Sequence, residues 1–202
     1  MSYTPAQTIV QYVAPPFTPT NPTLTSFSWV NQGSASVAAA SASVTLIAPG
    51  VAGANLRIRD KAVPTAPYTV TAVILPLMFR KQWYSAGLCL RDSASGKVEV
   101  YDQQCDTGER RLRVSQYTNP TTILGNVFAN SVATMLQFWR INDDNTNRII
   151  SISGDGINWQ TIYSVSRTDW LTPNRIGWFV NPEVAAGTLY EIHAQLLSWA
   201  EA

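Results

Sequence analysis

From Leu24 onward the chain is a succession of short segments, most of them alternating apolar and polar residues, separated by Gly, Pro, Asn and Asp. A side-chain period of two marks a strand with one dry face, whereas a helix repeats at 3.6. The first six segments are FSWVNQG, SVTLIAP, NLRIRD, YTVTAVILPLMF, YSAGLCLRD and KVEVYDQQ. The next six are RRLRVSQYT, ATMLQFWRIN, NRIISISGDG, WQTIYSVS, RIGWFVN and TLYEIHAQLLSW. No stretch carries the stripe of a long amphipathic helix. The segment VAAASAS at 37–43 has helical propensity but reads equally as a small-residue strand or a loop. Such a series, without an internal repeat or a second boundary, predicts one antiparallel all-β domain.

The turns agree with that reading. DSASGK at 92–97 joins two strands and offers Gly96 for a positive-φ position. NDDNTN at 142–147 is a polar connection, and Ser153-Gly154-Asp155-Gly156-Ile157-Asn158-Trp159 is a tight turn whose aromatic packs back on the sheet.

Composition narrows the partners. Charged residues are 13% of the 202, about half the usual share. A formal net charge of +1 offers no field to hold nucleic acid or an anionic membrane, so neither is an expected partner. No apolar run is long enough for a spanning helix. The start, MSYTPAQTIVQYV, lacks a basic region followed by an apolar stretch and is not read as a secretory signal. The expectation is synthesis in a cytoplasm, with exit by lysis or assembly.

Residues 1–22 read as an extended arm and residues 23–202 as the sandwich domain. Pro15, Pro16, Pro19 and Pro22 disfavour helix and central strand and favour a polyproline-like tether. Beyond that spacer Ile9, Val10, Tyr12 and Val13 form a short apolar piece suited to docking on a neighbouring subunit; the alternative is a disordered tail. Cys89 and Cys105 read as reduced thiols rather than a disulfide. A hairpin turning near Ala94–Ser95 places Cys89 opposite Val100, which is awkward for a bridge to Cys105.

Strand parity suggests a ligand face. If Leu56, Ile58, Leu88, Leu90, Val98, Val100, Leu112 and Val114 point inward, then Arg57, Arg59, Arg91, Glu99, Tyr101, Arg111 and Arg113 point outward. On one open sheet face these arginines around Tyr101 could hold sugar hydroxyls, acidic glycans or a partner's carboxylates. An ordinary solvated face with Arg–Glu pairs is the alternative. Among the tryptophans, Trp29, Trp159, Trp178 and Trp199 are expected to pack in the core, with Trp83 and Trp170 partly exposed.

The order of segments, with Ala86-Gly87-Leu88 preceding SGDGINW, RIGWFVN and a closing apolar strand, resembles the concanavalin A-like lectin/glucanase jelly roll over about residues 24–199. The resemblance implies a two-sheet antiparallel jelly-roll sandwich whose concave face commonly binds sugars. It does not decide between enzymes, lectins and structural modules. The chain's character, a low-charge β domain behind a Pro/Thr arm, is also similar to bacteriophage virion proteins such as tail or fibre receptor binders and capsid decorations.

Catalytic chemistry is thin. Laminarinase-like enzymes of the family carry their carboxylates on one strand, but Glu99 and Asp102, three residues apart, fall on opposite faces. The sole histidine, His193, lies on the last strand and reads as hydrogen-bonded structure. Asp143, Asp144, Asn145 and Asn147 could offer oxygens to calcium but read better as a solvated turn. No catalytic residues, metal or cofactor are expected. The expected function is a non-enzymatic virion structural, decoration or receptor-binding protein, homo-oligomeric and tethered to other virion proteins or sister subunits. A possible host-glycan ligand accompanies it. A glycan-acting hydrolase of the same fold, or a freestanding carbohydrate-binding module, are the alternatives.

Overall fold

A computed structural model describes residues 18–77, 83–106, 108–132, 138–184 and 190–202. The first strands are β1 (Ser28–Val30), β2 (Ser36–Ala40), β3 (Ser43–Pro49), β4 (Val51–Ala52), β5 (Arg57–Ala62) and β6 (Tyr68–Leu77). The central ones are β7 (Ser85–Arg91), β8 (Val98–Asp106), β9 (Glu109–Asn119), β10 (Thr122–Ser131) and β11 (Phe138–Asp143). The last are β12 (Asn147–Ser153), β13 (Gln160–Ser166), β14 (Arg175–Asn181), β15 (Glu183–Val184) and β16 (Glu191–Glu201). The helix among the described residues is one 3-10 turn, Leu24–Ser26.

Two seven-stranded antiparallel sheets form the sandwich. The first runs β1-β5-β14-β7-β8-β9-β10, and the second β13-β12-β11-β6-β16-β3-β2. A small parallel pair, β4 with β15, sits beside them. Between the sheets lies the main core, with Leu88, Leu90, Val114, Ile176 and Trp178 meeting Leu46, Val70, Trp139, Ile141, Ile150 and Leu196. The expected jelly-roll sandwich is therefore the observed fold.

The turns form as their residues require. Asp92 accepts the main-chain N–H of Ala94 and Ser95, and Gly96 takes φ of +79° to close the β7–β8 hairpin. Across that hairpin Cys89 stands opposite Val100, and both cysteines are buried thiols outside any disulfide. The 142–147 turn is held by Asp143 and Asp144, which accept the N–H groups of Asn145, Thr146 and Asn147. Trp159 packs back on the sheet, with the Arg140 guanidinium 3.7 Å from its ring centroid. The small-residue segment near 37–43 is an edge strand and turn, not a helix.

Ile9, Val10, Tyr12 and Val13 lie outside the described residues. Farther along the same stretch, Thr20 receives the Trp199 N–H and donates its own N–H to the Ser198 hydroxyl. Attachment to β16 thus begins within residues 1–22.

The first sheet has two dry faces. On the side away from the second sheet, Leu56, Ile58, Cys89, Val98, Val100, Tyr117 and Phe179 form a second apolar cluster, each fully buried. The reason is curvature. The Leu56 N–H bonds to the Pro120 carbonyl, linking the approach to β5 with the β9–β10 turn across three intervening strands. The margins of the sheet close over its own outer face.

Two tyrosines, the buried Tyr68 and the half-buried Tyr163, make this fold sensitive to alkali. Burial pushes the Tyr68 hydroxyl up to about 12, with Asp143 adding to the effect. Tyr163 is also raised to about 12, by burial and then by Glu99. An unfolded tyrosine ionises near pH 10, so the unfolded chain releases these protons first as pH rises. Stability is expected to be unaffected below about pH 10 and to fall between there and about pH 12. Tyrosinate absorbance should then rise together with loss of β circular dichroism; ionisation well before unfolding would contradict the burial.

Candidate functional site

The seven residues expected on one open face occupy two different faces. Hairpin register sets Leu88 opposite Tyr101 and Leu90 opposite Glu99, so Glu99 and Tyr101 point between the sheets and not to solvent. Both are fully buried. The parity assignment fails because it grants each strand a single dry face, whereas β8 is buried on both. Val98 and Val100 serve the second cluster, which frees the opposite side of β8 for the main core.

Arg57 and Arg59 also turn to the inter-sheet side, at the sheet margin. Arg59 lies over the Trp29 ring at 5.0 Å and donates to the Leu24 carbonyl. Arg57 donates to the Asn31 carbonyl and is itself buried. Arg91, Arg111 and Arg113 do share the outer face, yet the first and last are committed. Arg91 and Arg175 both grip Asp60, while Arg113 holds Asp102 through two hydrogen bonds of 3.0 and 2.7 Å. Arg111, 39% exposed, pairs with Asp106 and Glu109.

Two glycines let the strands that carry these carboxylates be closely approached by their neighbours. Asp102 stands opposite Gly87 and Asp60 opposite Gly177. A Cβ on Gly87 would come 2.0 Å from the Tyr101 carbonyl oxygen, and one on Gly177 2.2 Å from that of Arg59. At both places the adjoining backbone occupies the volume that any side chain would need.

Between the sheets sits a polar knot that sequence reasoning missed. Glu99 accepts hydrogen bonds from Tyr101, Gln116 and Arg148, the last at 3.3 Å from the opposite sheet. Arg148 also donates to the carbonyls of Leu171 and Asp169. Glu99 and Arg148 are both 0% exposed. Alternation in NRIISIS was the available signal: Arg148 shares a face with Ile150 and Ile152, and a charge there needs a buried partner.

Access to solvent is found elsewhere. A pocket of about 380 Å³ opens where residues 20–27 cross the ends of β5 and β16, lined by Thr20, Asn21, Thr23, Ser26, Phe27, Lys61 and Trp199 to Glu201. Phe27 and Trp199 meet edge to face at 5.0 Å. Glu201 collects Lys61 at 2.7 Å and the Trp199 indole N–H at 2.6 Å. An aromatic floor beneath hydroxyl and amide groups can stack and hydrogen-bond a small polar ligand. Of the remaining candidates, His193 approaches Glu191 on an exposed strand face. Asp143 is paired with Arg167. Among the described residues no group of three or more His, Cys, Asp or Glu converges as metal ligands would.

No protein-family model matches the chain, and no curated protein resembles it in sequence. Solved structures do share its fold. A functionally unknown protein from Saccharomyces cerevisiae is 13% identical with a TM-score of 0.65, over 89% of this chain and 97% of that one. A legume lectin-like domain from Entamoeba histolytica is 13% identical with a TM-score of 0.57, covering 83% of this chain and 87% of that one. A prokaryotic lichenase, a beta-1,3-1,4-glucanase derived from a mouse hindgut metagenome, gives 10% and 0.52, over 82% and 81%. The chain therefore has the two-sheet, concanavalin A-like jelly-roll fold that the lectin-like domain and the glucanase also carry.

Proposed function

We propose that this chain is a non-enzymatic structural or decoration module of a virion. The sandwich is a rigid platform, and the N-terminal arm tethers it to other virion proteins or sister subunits. The non-enzymatic part rests on one observation: the fully buried carboxylates of the curled sheet's outer face, Asp60 and Asp102, are each locked to arginine. They stand on β5 and β8 with β14 and β7 between them, so they form no acid–base pair across a scissile bond. The apolar cluster beside them fills the floor on which a sugar would have to lie. The virion part draws on composition, since no charged side chain precedes Arg57 and the first stretch is rich in Pro and Thr.

A glycan-binding module is the second reading, favoured by the Phe27–Trp199 pocket with its hydroxyl and amide rim. The non-enzymatic and virion parts of the first reading are tested with a panel of polysaccharides and purified virus particles. The chain is expected to release no reducing ends and to copurify with particles. Turnover that disappears in Asp60→Asn or Asp102→Asn would overturn the non-enzymatic reading. Absence from particles would overturn the virion assignment.

A further inference from the structure

Asp155-Gly156 is the single Asp-Gly sequence in the chain. It lies in the turn after β12, with Asp155 exposed and Gly156 at φ of +77°. Such a bond isomerises when the glycine main-chain nitrogen attacks the aspartate side-chain carboxyl carbon. A C–N bond forms and water leaves, giving a cyclic succinimide. Water then adds back at the former main-chain carbonyl and breaks its bond to that nitrogen. That carbonyl becomes the free carboxylate, and the chain continues through the side chain as isoaspartate. Water is released once and taken up once, so no further reactant is needed. Glycine is the most permissive following residue, because it puts no Cβ in the way of the attack.

Both reacting groups are held here, and one hydroxyl holds the two. The Gly156 N–H donates to the Ser153 Oγ at 2.8 Å, and the same oxygen accepts the Asp155 N–H at 3.2 Å. The Ser153 O–H donates in turn to the Asp155 carboxylate at 2.8 Å. A hydroxyl has one donor and two acceptor positions, so that of Ser153, itself buried, is used in full. The carboxylate also accepts the main-chain N–H groups of Asn158 and Ile157 and the Asn158 side-chain amide. These donors, the Asn158 main chain foremost, hold it ionised, well below the usual carboxylate range. To react, the nitrogen must shed its proton and the carboxyl must gain one, and the turn opposes both.

We propose that Ser153 keeps the Asp155–Gly156 bond from isomerising, by fixing the Gly156 N–H and the Asp155 carboxylate together. This is independent of the arm and of any role in a virion. Isomerisation would lengthen the main chain of the turn, where Trp159 donates its indole N–H to the Gly156 carbonyl and stacks on Arg140.

The tryptic peptide 149–167, cut after Arg148 and Arg167, carries the same bond without the fold, and Asp155 is its single aspartate. Folded protein and free peptide are incubated side by side in mildly acidic buffer, and isoaspartate in that peptide is quantified by chromatography after digestion. The folded wild type should form it at least ~10-fold more slowly, since each unit by which a carboxyl is lowered removes about tenfold of its neutral form. Ser153→Ala should close most of that gap. Asn158→Ala loosens the same turn but leaves the Gly156 N–H on Ser153, and its rate should rise far less. Wild-type protein that isomerises as fast as the peptide overturns the proposal, whether or not the Ser153 variant folds. So does a Ser153→Ala protein as slow as wild type. An Asn158→Ala protein as fast as Ser153→Ala overturns it too, because loosening of the turn would then account for the whole effect.

Discussion

Replacing either Glu99 or Arg148 by alanine is expected to destabilise the protein by about 3–5 kcal/mol, the cost of leaving one buried charge without its partner. For a domain near 200 residues that lowers the thermal midpoint by roughly 10 °C. The two side chains come from facing sheets, Glu99 from β8 and Arg148 from β12, and both are sealed from water. Removing Glu99 also takes the acceptor from the Tyr101 hydroxyl and the Gln116 amide. Removing Arg148 takes the donor from the Leu171 and Asp169 carbonyls, which loosens the loop after β13. The double replacement Glu99→Leu with Arg148→Met should cost much less than the two alanine variants together, since no charge is stranded. Additive, small effects in that cycle would show that the pair is solvated and does not tie the sheets.

Gly87→Ala is expected to have an effect of similar size for a different reason. The added methyl would stand 2.0 Å from the Tyr101 carbonyl oxygen and 2.8 Å from the Asp102 Cα, both main-chain atoms that cannot swing aside. Relief requires β7 and β8 to part locally, at the point where Asp102 is held by Arg113. Overpacking of this kind costs about 3 kcal/mol or more, with a drop in midpoint of about 6–12 °C. Gly108→Ala serves as the comparison: nothing lies within 4 Å of its Cβ position, and only its positive φ of +88° is strained. A Gly87→Ala protein as stable as wild type would mean that the two strands are not so closely apposed.

Most strands were legible because their alternation and turn residues act locally. SVTLIAP and RIGWFVN coincide with β3 and β14, and the DSASGK turn fixed a register with Cys89 opposite Val100. β10 escaped notice because two bulges and Gly125 erase the period of two in TILGNVFANS. The site was far less legible. Assigning Val98 and Val100 to the same layer as Leu88 contradicts the hairpin register, which already sets Leu88 opposite Tyr101. Following that register would have placed Glu99 and Tyr101 inside. What the sequence could not reveal is the Leu56–Pro120 link, because closure of a sheet on itself depends on accumulated twist and not on any one segment. The Glu99–Arg148 pair likewise joins strands 49 positions apart, beyond reach of any local pattern.

The curling of the first sheet has a consequence for how the molecule breathes. In an ordinary sandwich a central strand has water on one side, and a local fluctuation can expose it by peeling outward. β7 and β8 have a dry layer on each side, so opening them must disrupt the inter-sheet core and the Leu56–Phe179 cluster together. Their amide protons are therefore released only in the rarest, near-global openings, while those of β10, β13 and β2, at the open edges, exchange through cheap local ones. The middle of the sheet acts as a spine, and motion is left to the margins.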